Sequence, residues 1–311
     1  MDKIYKILLV IIILFICVTV FVCFNYFLKN KDIKKIDLSA DKIATASVSV
    51  PTISLPAPIK TFNILIVPGH DVKDGGANYK NLYYERDLAA IIGGKIADIF
   101  NKADGYNITV ARDTNSWNPI FSIYFQNERQ EIIDWKNQCQ ANEKSSIASG
   151  KEKIVQEMGM PSEVTPDMSV KLYGINKWAN ENNIDLVLNL HFNDEERPNM
   201  NAPGNLTGFN IFIPESQMKN SAVSRLIAQN VYNELKIIEP SESGELLEDQ
   251  NLIALGASGT LNAPSMLIEY AYIYEKKLRD DATRQETLDQ MALQTAIGIE
   301  NYVNANTRTT N

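Results

Sequence analysis

Three short, largely apolar runs decide what this chain can fold into: Asn63–Val67, Asp185–His191 and Ser265–Ala271. Runs of this length without helical spacing read as strands covered on both faces. Tyr106–Arg112 and Gly208–Ile213 read as further strands. Between the first two strands, Leu88, Ile91, Ile92, Ile96, Ile99 and Phe100 recur at helical spacing from Glu85 to Lys102. Further helices are expected over Lys171–Asn182, Ser221–Ile237 and Gln285–Val303. Such alternation predicts an α/β fold, a single three-layer domain around a mostly parallel twisted sheet, spanning residues 61–306. On such a sheet, ligand sites collect beyond the carboxyl ends of the strands.

Two segments stand outside this pattern. Ile7–Phe24 carries no charge and the apolar stretch continues to Leu28, enough at about 1.5 Å per residue to cross about 30 Å of hydrocarbon. Residues 1–35 are therefore expected to form a transmembrane signal anchor with its flanks, because a cleavable leader would have a shorter apolar core and nearby small residues. Ala44-Thr45-Ala46 lies too far downstream for that role. Residues 36–60, rich in Ser, Thr and Pro, read as an extended linker. Lys29, Lys31, Lys34 and Lys35 outnumber Lys3 and Lys6, which on charge alone would put the C-terminal side in the cytoplasm. The second segment, residues 114–166, interrupts the alternation with an amphipathic stretch, Ile123–Gln140, carrying Ile123, Phe125, Ile132, Ile133 and Trp135. This helical insertion reads as a lid or binding element at the rim of the sheet, as a flap packed on the domain, or as a partly disordered excursion.

The chain has only two histidines, and both close strands: His70 after Asn63–Gly69 and His191 after Asp185–Leu190. Glu85 opens a helix, and Glu269 interrupts the third apolar run. Two imidazoles and a carboxylate suit a zinc site that keeps an open position, with a second carboxylate as base. A buried glutamate also needs a partner, since desolvating it alone costs several kcal/mol or raises its pKa. The residues alone leave a structural role for the histidines open. Asp194 is a further candidate ligand or base, although Asn193–Glu196 also reads as a solvated loop. A net charge of −8, from 38 acidic against 30 basic residues, offers no footprint for nucleic acid. Of the three cysteines, Cys17 and Cys23 lie in the apolar N-terminal run and only Cys139 lies beyond it, so no disulfide framework is expected.

In order along the chain stand Pro68-Gly69-His70, Gly76-Ala77, Glu85, Arg112-Asp113-Thr114, Ala179-Asn180, His191-Phe192-Asn193 and Pro264-Ser265-Met266-Leu267-Ile268-Glu269. This ordered set resembles the zinc-dependent N-acetylmuramoyl-L-alanine amidases of the amidase 3 family over residues 61–303, interrupted by the insertion. The resemblance implies Zn2+ held by His70, Glu85 and His191, with Glu269 as the catalytic carboxylate. It implies hydrolysis of the amide between N-acetylmuramic acid and L-alanine in peptidoglycan, in cell-wall remodelling or division. That substrate requires an extracytoplasmic domain on a single-pass cell-membrane anchor, against the lysine count, and the insertion offers a place for a regulatory protein. The chain departs from the pattern at Asp71-Val72, where the family usually has Gly-Gly, and at Tyr270–Tyr274, where it has Leu-Gly-Phe and a downstream Ser-Asn. No clear counterpart exists for the arginine before the Ala-Asn helix. These departures bear on substrate fit more than on metal binding. A related zinc amidohydrolase acting on another amide, and a non-catalytic wall-binding or division protein, are the rival expectations.

Overall fold

The computed structural model describes residues 61–155 and 164–307. The expected anchor and linker lie outside the described residues. Among those residues no helix is long and apolar enough to cross a membrane. The chain order is β1 (Phe62–Pro68), β2 (Asn78–Tyr79), β3 (Tyr83–Tyr84), α1 (Glu85–Phe100), β4 (Tyr106–Val110), α2 (Pro119–Asn127), α3 (Arg129–Ala148) and α4 (Pro166–Glu181). It continues through β5 (Leu186–Asn193), β6 (Asn210–Pro214), α5 (Ser221–Ile238), β7 (Leu247–Asp249), two 3₁₀ turns (Ile253–Leu255 and Ala257–Gly259), β8 (Ser265–Tyr272), α6 (Lys276–Arg279) and α7 (Asp281–Thr307).

Six strands form one sheet in the order β4-β1-β5-β8-β6-β7. The first four run parallel, β6 is antiparallel to β8, and β7 is parallel to β6. The α/β fold with a mostly parallel sheet is thus as the sequence predicts. Alternate side chains of β1 enter two separate cores, which is why its apolar run is unbroken. Ile64 and Ile66 pack with α1, α5 and α7 on one face. Leu65 and Val67 pack on the other with Phe121, Phe125, Ile132, Val170 and Tyr173.

That second core settles how the described part of the insertion is used. Phe121 and Ile132 are fully buried against the sheet and α4, so α2 and α3 complete a helical layer rather than cover the rim as a lid. The physical reason is burial: Phe121 and Ile132 leave water by packing on the apolar side chains that the sheet and α4 present there. Polar ties reinforce it, with Lys177 Nζ 2.9 Å from Glu131, Arg129 2.9 Å from Asp167, and Tyr124 Oη donating to Glu181 at 2.7 Å.

Of the element boundaries that differ from the sequence reading, two have clear local reasons. α4 begins at Pro166, not Lys171, because Thr165 Oγ1 accepts from the backbone N–H of Met168 and proline suits a first helical position. β6 begins two residues after Gly208, whose φ of 99° and close approach to Pro240 O keep it out of regular pairing.

Candidate metal centre

Parallel register builds the site before any side chain is considered. Pro68 pairs with Leu190, and His191 pairs with Glu269, so β1, β5 and β8 end together at one rim. Gly69 extends the β1 end by donating its N–H to Leu190 O at 2.8 Å. A β-carbon on Gly69 would lie 2.3 Å from His191 Cε1, so glycine is required for the ring to rest on the backbone there. His70 then turns the chain with φ 62°, a left-handed conformation unusual for a residue with a side chain. Arg112, buried just past β4, donates through Nε to Pro68 O at 3.2 Å and through Nη2 to Gly69 O and to Arg86 O, the latter at 2.9 Å. It ties the ends of β4 and β1 to the start of α1.

Glu85 arrives from the other direction, at the first position of α1, where the helix dipole favours a negative charge. Its side chain is 5% exposed. Oε2 lies 3.0 Å from His70 Nε2 and accepts from the N–H of Ala77 at 2.9 Å. Oε1 lies 2.8 Å from His191 Nδ1 and accepts from the N–H of Phe192 at 3.1 Å. His70 Nδ1 lies 3.1 Å from Asp74 Oδ2, which leaves Nε2 directed at the shared centre. Burial alone would raise the Glu85 carboxyl, but its hydrogen bonds with His191 and His70 hold it well below the usual range. Burial works to lower His70, yet Glu85 and then Asp74 raise it to about 9.

Three observations test whether these residues fit a metal. Ligand atoms of His70, Glu85 and His191 all lie within 4.8 Å of one another. Two imidazoles and one carboxylate are the donor set of a zinc site with an open fourth position. Gly76, at φ 64°, forms a floor where a β-carbon would come 2.5 Å from Glu85 Oε2 and 2.7 Å from His70 Nε2. The residues fit.

Glu269 stands apart from this trio. Its Oε2 is shut off from solvent without a hydrogen-bond partner, which no other carboxylate oxygen among the described residues shares. Burial, and secondly the Glu85 charge, push its pKa well above the usual range, with His70 partly offsetting them. Asp194 does not join the cluster: its carboxylate pairs with Arg197 and caps the N–H of Glu195 at 2.9 Å. The Tyr270–Tyr274 departure is packing. Tyr270 Oη bonds Thr295 Oγ1 at 2.9 Å in the core, while Tyr274 Oη bonds Glu195 and donates to Leu206 O at 3.0 Å, tying down the loop after His191.

Sequence reasoning assigned no role to Asp74 or Arg112. An aspartate four residues after a histidine was the available signal for the first; for the second, the Arg-Asp-Thr motif was visible but its carbonyl partners were not.

The sequence pattern of the family described as N-acetylmuramoyl-L-alanine amidase, amidase 3, matches residues 64–301. No curated protein sequence matches the chain. Among solved structures, the CwlD amidase from Clostridioides difficile in complex with the GerS lipoprotein is similar at 17% identity, with 79% of this chain and 100% of that chain covered and a TM-score of 0.54. Ami1, the N-acetylmuramyl-L-alanine amidase from Mycobacterium smegmatis, is similar at 12% identity, with 80% and 100% covered and a TM-score of 0.53. An N-acetylmuramoyl-L-alanine amidase from Clostridium difficile 630 is similar at 18% identity, with 79% and 98% covered and a TM-score of 0.51.

Proposed function

The chain belongs to the N-acetylmuramoyl-L-alanine amidase family, and from that premise we propose a zinc-dependent cell-wall hydrolase in which His70, Glu85 and His191 hold the metal and Glu269 is the catalytic carboxylate. The observation that carries the proposal is the pairing of a compact His-Glu-His set with an unpartnered buried carboxylate oxygen on the neighbouring strand. Zinc bound there would polarise the scissile carbonyl and make water a better nucleophile near neutral pH. Glu269 takes the proton from the attacking water and returns it to the departing L-alanine nitrogen, a role that suits a carboxyl with a raised pKa. Asp74 orients the His70 ring through Nδ1, and the N–H groups of Ala77 and Phe192 orient the Glu85 carboxylate.

The cell-wall role, membrane anchoring through residues 7–28 and an extracytoplasmic domain belong to the same reading, supported by the apolar N-terminal sequence and by the substrate class. A regulatory protein on the insertion belongs to it too; the similar CwlD amidase was solved in complex with a lipoprotein.

The test joins metal analysis to product analysis. Alanine at His70, Glu85 or His191 is expected to remove stoichiometric zinc, and the parent protein is expected to release stem peptides with a free L-alanine amino terminus from purified walls. A folded Glu85→Ala protein with full zinc and full activity would falsify the ligand assignment. Cleavage of other amides but no muropeptide bond would move the substrate elsewhere. Protease treatment of intact spheroplasts checks the orientation, and protection of the domain would reverse it.

A further inference from the structure

Asp71 directly follows His70 and is 3% exposed, although it carries a charge. Its two oxygens divide their partners between the metal-site loop and the helical layer. Oδ1 accepts from the backbone N–H of Lys73 at 2.8 Å and of Asp74 at 3.2 Å, fixing the turn that sets Asp74 against His70 Nδ1. Oδ2 accepts from Lys171 Nζ on α4 at 3.1 Å and from Trp117 Nε1, at the head of the insertion, at 3.4 Å. Lys171 Nζ lies 5.6 Å from the centre of the Trp117 ring and 3.0 Å from Asp167. All three members of this brace meet beside a left-handed His70, a conformation that persists only where the surroundings over-determine it.

We propose that Asp71 is a positioning residue which, with Lys171 and Trp117, braces the His70 loop against the α4 layer and holds His70 and Asp74 in the geometry that metal binding needs. The inference rests on His70 being a metal ligand. Asp71 and Asp74 also bond each other through the backbone, N–H to O at 3.1 and 3.2 Å, so a shift in one carries the other. The brace makes the first residues of the insertion part of the metal site's support.

Asp71→Asn is the informative variant, because the amide nitrogen would face donors whichever way it turned: the N–H groups of Lys73 and Asp74, or Lys171 and Trp117. Full-length Asp71→Asn, Lys171→Met and the double variant are compared for zinc dissociation constant by chelator competition, for the absorption bands of the Co2+-substituted protein, and for urea midpoint. Each single variant is expected to weaken zinc binding about tenfold and shift the Co2+ bands, as loss of an outer-shell support does, and the double variant to be no worse than the poorer single. Unchanged zinc affinity and Co2+ bands with a lowered urea midpoint would reduce the brace to a packing contact and overturn the proposal. If Asp71→Asn does not fold, Trp117→Phe, which removes the Nε1 donor and keeps an aromatic ring, carries the same readouts, and the same null result overturns the proposal. His70→Ala separates the two readings. Zinc retained in that variant refutes the ligand assignment, whereas zinc lost there but unaffected by Asp71→Asn refutes the brace alone.

Discussion

Glu269 and Glu85 show how one residue type takes two roles from its surroundings. Glu85 meets two imidazoles and two backbone N–H groups, which stabilise its charge; Glu269 meets none at Oε2, and burial destabilises its charge. One is therefore read as a ligand and the other as a proton acceptor. Glu269→Gln keeps the shape but removes the proton-accepting oxygen, so zinc content should persist while turnover falls by at least about 10²-fold. Unchanged turnover on muropeptides would place the base elsewhere. The tie between Asp194 and Arg197 argues against Asp194 as the substitute. His70, Glu85, His191 and Glu269 stand out in the sequence as candidates because each sits where a periodic pattern begins, ends or is broken. Asp71 was visible as a departure but not as a brace, since its partners Trp117 and Lys171 are far from it in sequence.

Among the elements, the insertion is where pattern reading was least decisive. Its amphipathic stretch demanded an apolar partner, and nothing in the sequence names which surface supplies it. The structure places Phe121, Phe125 and Ile132 in the core beneath α4. The reading from Ile123 onward omitted Phe121, the most deeply buried ring of α2. Its ring lies 4.9 Å from that of Trp178 and 5.8 Å from that of Phe125. Phe121→Ala should cost about 3 to 5 kcal/mol in urea unfolding, the range for a buried aromatic that leaves a cavity. A loss under about 1 kcal/mol would show that the helix is a detachable flap.

At the scale of the whole molecule, two apolar cores flank the sheet, so folding is expected to proceed without a metal, unlike that of small zinc domains. Removing zinc with a chelator should abolish turnover yet leave cooperative unfolding. In the metal-free protein, His70 has a pKa of about 9, raised despite burial by Glu85 and Asp74. The stability from its charged form is fully present below the unfolded value near 6.5 and is lost as pH rises through about 9. Metal must displace the same proton, so zinc affinity should rise with pH over that window. Competition titrations across it check this, and a flat dependence would mean that His70 gives up no proton on binding. The sequence by itself determined the alternating α/β order and the mostly parallel sheet, and it marked out the candidate residues of the site, because buried parallel strands leave apolar runs and a charged or ligating residue interrupts them visibly. Only the tertiary structure decided which strand ends meet, which surface the insertion covers and what Asp71, Asp74 and Arg112 hold. Those depend on register and on partners distant in sequence, which periodicity along one chain does not encode.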